Sequence, residues 1–143
     1  MSRHPLITCL LAAALALPLL SAPAQAGWFR SEREAVECSD PHVLKRISSK
    51  FRHQAREVHH DKSLAIADYG NIHEHRYLDK REDRPIARRY CGAEVRLSDG
   101  RDRTLWYVVE RGVGFASIGD NVEFCVSGFD RWNVHNNGCR ILR

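Results

Sequence analysis

Histidine is the residue type here best suited to acid–base or metal chemistry, and four of the eight histidines fall close together in the chain. His59 and His60 close one segment, and His73 and His75 lie in the next. Two positions apart on a strand, His73 and His75 point to one side, as a chelating pair must. A metal site drawing on His59, His60, His73 and His75 is therefore the sharpest chemical expectation. The spacing argues against it. His-Glu-x-x-His is not completed, because His73-Glu74-His75-Arg76 is followed by Tyr77, and this segment does not read as a helix. Surface histidines in a polar stretch account for the same residues. Residues 59–75 also hold the side chains of a small hydrolase, for instance one cleaving RNA. His59 or His60 would act as base, with Lys62 or Arg76 on phosphate. No spacing singles these residues out. No Gly-x-Ser-x-Gly, phosphate loop or dinucleotide fingerprint is present, and no cofactor is expected.

The cysteines point elsewhere. Of five, Cys9 lies in an apolar leader, leaving Cys38, Cys91, Cys125 and Cys139. An even count in an exported chain reads as disulfides, and the absence of any Cys-x-x-Cys pair argues against a thiolate metal site. Four cysteines allow three pairings, and the sequence does not choose among them. Cys38–Cys91 with Cys125–Cys139 is the favoured arrangement. The first would tether a helix start to a hairpin, and the second would close the C-terminal loop.

Export is read from residues 1–26. Arg3 and His4 give a short positive start, residues 6–20 an apolar core, and Ala24-Gln25-Ala26 a small-residue cleavage site. Pro18 and the shortness of the run disfavour a membrane span, which needs about 20 apolar residues. Cleavage would leave a lead, residues 27–37, and one domain, residues 38–143, in the periplasm or outside the cell. The chain carries 22 Lys and Arg against 18 Asp and Glu, a net +4. Removing Arg3 leaves 21 against 18, or +3. So small and mixed a surplus argues against a nucleic-acid partner, since a binding footprint is a clustered patch.

A third candidate is a binding surface. Residues 128–135 mix Phe129, Arg131 and Trp132 with turn residues, and a Cys125–Cys139 bond would make them a constrained loop. Aromatic and Arg side chains on a rigid loop are typical interface anchors. Alternatively, Phe129 and Trp132 cover one end of the core.

These residues must be positioned by a modest set of elements. Asp40-Pro41 is a helix start, with a carboxylate to cap free amides and a proline whose missing N–H costs nothing there. Leu44, Ile47, Phe51, Ala55 and Val58 then form one apolar stripe, ending near His60. The opposite side carries Lys45, Lys50, Arg52 and Arg56, a basic face that could meet a membrane but is usually only solvated. Residues 64–78 read as a strand bent by a bulge at Gly70, with His73, His75 and Tyr77 on one face. Residues 86–97 form the next strand. It leads through the Asp99-Gly100 turn to a return strand with Leu105, Tyr107 and Val109 on one side and Trp106, Val108 and Glu110 on the other. Val122, Phe124 and Val126 mark a fourth strand. One helix followed by four sequential strands predicts an α+β domain with an antiparallel meander packed over the helix, a cystatin-like or NTF2-like topology.

Arg88-Arg-Tyr-Cys-Gly-Ala-Glu-Val, Asp99-Gly-Arg, Leu105-Trp-Tyr, the run from Gly119-Asp-Asn-Val through Phe129-Asp-Arg-Trp-Asn-Val, and Cys139-Arg together resemble a family of small exported four-cysteine proteins of alphaproteobacteria. The resemblance spans most of residues 27–143. It implies a Gram-negative periplasmic setting and carries no activity, cofactor or site residue. The chain is accordingly expected to be a non-enzymatic binding protein for an unspecified protein or small ligand, with the histidine-based hydrolase or metal protein as the alternative.

Overall fold

The computed structural model describes residues 36–114 and 119–143, which belong to one compact unit, Arg33–Arg143. The leader and most of the lead lie outside the described residues, as do residues 115–118. The elements run α1 (Pro41–Val58), β1 (Ile66–Leu78), β2 (Arg88–Leu97), β3 (Asp102–Glu110) and β4 (Asn121–Val126), closing with a 3-10 turn at Arg140–Leu142. The strands pair antiparallel in the order β1-β2-β3-β4. The described residues thus form an α+β domain, a meander with one α-helix, as the sequence predicts.

The helix begins where its cap dictates. The Asp40 carboxylate accepts the amides of His42 at 2.8 Å and Val43 at 3.3 Å, with Pro41 as the first helical residue. It ends at His59, whose amide donates to the Ala55 carbonyl, and His60 then turns the chain with a φ of 56°. The buried stripe is Val43, Ile47, Phe51 and Ala55. Steps of four drift slowly around a helix, so Val43 joins the core while Leu44 and Val58 sit half-buried at its margins.

That stripe packs on one face of the sheet. Cys91, Ala93, Val95 and Leu97 of β2 alternate inward with Leu105, Tyr107 and Val109 of β3 and with Val122 and Val126 of β4. Full burial of each large aliphatic or aromatic side chain contributes about 1.5–3 kcal/mol, which makes this layer the main source of stability. The β2–β3 turn closes through Gly100, whose φ of 81° suits glycine, and its amide donates to the Leu97 carbonyl. Tyr107 Oη donates to the Cys38 carbonyl at 2.6 Å inside the core. Burial raises the tyrosine's pKa well above the ordinary phenol value. The same Cys38 is bonded to Cys91 with Cα atoms 5.8 Å apart, tying the helix start to the central strand.

Strand β1 departs from regular pairing at three places, between Ile66 and Asp68, between Gly70 and His73, and between Glu74 and Arg76. At the second, Asn71 rather than Gly70 takes the left-handed conformation, with φ 47°. Asparagine tolerates this region because its short polar side chain bonds locally. The third irregularity changes which face Tyr77 occupies. It pairs with Arg89 and contacts that guanidinium, while His75 and Arg76 both lie against Tyr90. His73 and His75 share a face, as expected, but Tyr77 does not join them. Such bulges also blunt a strand edge that would otherwise template further pairing.

The other sheet face is not bare. Val108, Cys125, Cys139 and Leu142 form a second buried cluster, with Tyr90 and Trp106 packed against it. The Cys125–Cys139 bond, with Cα atoms 5.5 Å apart, folds the chain end over this face. Gly92 lies on this face too, opposite Trp106. A Cβ there would meet His73 Nε2 at 2.7 Å and Trp106 Cζ3 at 3.0 Å, so glycine makes room for both rings.

Candidate binding surface on the C-terminal loop

Residues 127–138 leave β4 and return to the sheet through a series of tight turns. Gly128, Asn133, Asn136, Asn137, Gly138 and Cys139 all have left-handed φ values, between 54° and 90°. Glycine and asparagine are the residues that enter this region most readily, so the path is written into the loop's composition. Ser127 and Phe129 anchor its start, their amides donating to the carbonyls of Thr104 and Val126. The Asp130 carboxylate then accepts the His135 amide at 3.3 Å, and Cys139 is bonded to Cys125. A long polar loop is thereby held at both ends.

The loop leans on the end of α1. Phe129 packs edge-on against Phe51 and His59, with ring centres 5.2 and 5.1 Å apart. Gln54 Nε2 donates to the Phe129 carbonyl at 3.1 Å, and Arg131 Nη1 donates to the Val58 carbonyl at 2.8 Å. Between helix and loop runs a groove of about 240 Å³, whose lining includes Gln54, Val58, Phe129, Arg131, Trp132 and Val134. Of the three residues anticipated as contacts, Phe129 is a half-buried support, whereas Arg131 and Trp132 reach solvent. Arg131 lies 5.8 Å from the Trp132 ring centre. Trp132 is 67% exposed, Val134 67% and Ile141 55%, and these are the exposed large hydrophobic residues among those described. A single exposed apolar side chain is ordinary, but two on the closed loop, with a third just beyond Cys139, mark a surface.

The histidines are distributed differently. His59 lies against Phe129 on the helix side, and His60 is exposed just beyond α1. His73 and His75 sit across the sheet beside Trp106, with ring centres 6.4 and 5.2 Å from it. His73 Nδ1 bonds the Asn71 carbonyl at 2.8 Å, and His75 Nε2 bonds the Leu142 carbonyl at 3.1 Å. A carbonyl only accepts, so each bonded nitrogen carries the proton. Burial lowers the His75 pKa, with the Leu142 carbonyl acting in the opposite direction. Among the described residues no group of three or more His, Cys, Asp or Glu side chains is placed to hold a metal ion. The strand brings together His73 and His75 but not the pair at the helix end.

Sequence reasoning missed the cluster beneath the chain end and the prominence of Val134 and Ile141. One signal was present. Trp106, Val108 and Cys125 all alternate onto the face opposite the main core, where a bonded cysteine requires something to cover it. In comparisons with known proteins, no family model, no curated protein and no solved structure matches this chain.

Proposed function

We propose that the protein is an exported, non-enzymatic binding domain of the Gram-negative periplasm, and that its disulfide-closed C-terminal loop is the contact surface. The observation that carries this reading is the concentration of Trp132, Val134 and Ile141 on that one loop and chain end. Two disulfides in a small domain suit an oxidising compartment. No helix among the described residues is long and apolar enough to cross a membrane. The leader and the resemblance to exported alphaproteobacterial proteins support the same setting.

The loop has the physical properties of an anchor. Its ends are fixed by β4 and Cys139, so little chain entropy is lost when it meets a partner. Trp132 offers a large apolar ring with a polar edge, the side chain most often found at the energetic centre of interfaces. The test is binding of residues 27–143, with both disulfides formed, to an envelope fraction. Replacing Trp132 with Ser is expected to weaken binding roughly 30-fold, the equivalent of about 2 kcal/mol for a central tryptophan. Equal binding by both forms would contradict the proposal.

A further inference from the structure

The exposed face of α1 carries Lys45, Arg46, Lys50, Arg52 and Arg56 against a single acid, Glu57. Arg56 is paired with that glutamate at 2.5 Å. The other cations are not matched by carboxylates. Arg46 donates to the Asp120 carbonyl, Lys50 to the Val122 carbonyl at 2.8 Å, and Arg131 of the loop to the Val58 carbonyl at 2.8 Å. A carbonyl oxygen fixes a cation in place without cancelling its charge. Lys45 and Arg52 make no hydrogen bond or ion pair among the described residues. Two carboxylates nearby are held by backbone amides and keep their charge, so the cations outnumber the acids without being fully offset. Asp120 accepts the Gly112 amide at 3.0 Å and Asp130 the His135 amide at 3.3 Å.

These contacts put Arg46, Lys50 and Arg131 on the same flank as the exposed aromatic, while Lys45, Arg52 and Arg56 face solvent farther around the helix. Arg46, Lys50, Gln54 and Arg131 mark the line along which α1 meets β4 and the loop. Trp132 and Val134 stand at its C-terminal end, beside the groove. We infer that this flank docks on an anionic lipid bilayer, with the cations over the headgroups and Trp132 and Val134 at the interface. The inference rests on the preceding reading of the loop as the contact surface and names its partner.

Three features favour a bilayer. The cations of α1 run from Lys45 to Arg56, about 17 Å at 1.5 Å per residue, which matches an extended surface better than a pocket. Lysine and arginine outside a membrane are drawn to anionic headgroups, and a tryptophan ring settles at headgroup level. The attachment would be peripheral and reversible, since a few charges and one shallow anchor hold weakly.

The test is co-sedimentation of residues 27–143, which contain the whole described unit, with vesicles of phosphatidylcholine alone or with 30% phosphatidylglycerol. The expected result is roughly tenfold stronger binding to the anionic vesicles, largely lost when the salt concentration is raised. Arg46→Glu with Lys50→Glu is expected to remove most of that gain, and these exposed side chains can be changed without disturbing the core. Trp132→Ser is expected to weaken anionic binding severalfold at low salt. Equal binding to the two vesicle types, or full binding by the charge-reversed variant, overturns the inference. If vesicles fail while Trp132→Ser still loses binding to a lipid-free periplasmic extract, the bilayer is wrong and the loop remains the contact surface. If neither responds to Trp132, both readings fall.

Discussion

Replacing Cys38 and Cys91 together by alanine removes the covalent link between the start of α1 and strand β2. The two residues are 53 apart in sequence and almost fully buried. In the chain-entropy treatment, releasing a loop of that length from the unfolded state costs about 4 kcal/mol of stability. The same treatment gives about 3 kcal/mol for Cys125–Cys139, which are 14 apart. The loss at Cys38 has a structural cost as well, because its carbonyl is held by Tyr107 Oη at 2.6 Å and a loosened segment weakens that bond. The assay is urea unfolding followed by circular dichroism. With a slope of about 2 kcal/mol per molar urea for a domain this size, the midpoint is expected to fall by about 2 M for the first pair. The second pair is expected to lose less, with the main core still cooperative. An unchanged midpoint on removing Cys38–Cys91, or a larger loss from Cys125–Cys139, would contradict this order.

Three further outcomes are expected. Tyr107→Phe leaves the buried Cys38 carbonyl without its donor and is expected to cost about 1–3 kcal/mol by urea unfolding. Asp40→Ala removes the cap on two amides of α1 and is expected to cost about 1 kcal/mol, read in the same assay. The third is pH dependence. Burial holds the His75 pKa below its ordinary value of 6.5, despite the Leu142 carbonyl, with Arg76 and His73 adding to the depression and Glu74 opposing it. The unfolded chain therefore takes up that proton first on acidification. The contribution of His75 is complete above pH 6.5 and is lost as the pH falls below it toward the lower folded-state value. Thermal melts from pH 8 to 5 are expected to show this decline, and His75→Gln is expected to flatten it.

Much of the architecture was legible because local signals and the hydrophobic pattern agree. Asp40-Pro41 places the helix start, the alternation along β2 and β3 places the hairpin, and Asp99-Gly100 places its turn. What was not legible depends on events spread over two chain segments. A bulge at Gly70 is legible, but the left-handed residue is its neighbour Asn71, where β1 breaks register between Gly70 and His73. Tyr77 leaves the face of His73 and His75 for the same reason, since one extra residue in a strand reverses the alternation beyond it. Proximity in sequence did not carry over to the fold for the histidines: His59 packs on Phe129, whereas His73 and His75 lie beside Trp106. The loop was legible in kind. Phe129, Arg131 and Trp132 were singled out, but which of them would be buried was decided by the rings of Phe51 and His59.

The central claim, that the closed C-terminal loop is the contact surface, is tested most directly by amide hydrogen exchange of residues 27–143 with and without envelope material. New protection is expected at residues 128–138 and the last turn of α1, and its loss in Trp132→Ser. Protection confined to β1 and the His73–His75 face, with the loop unchanged, would contradict it.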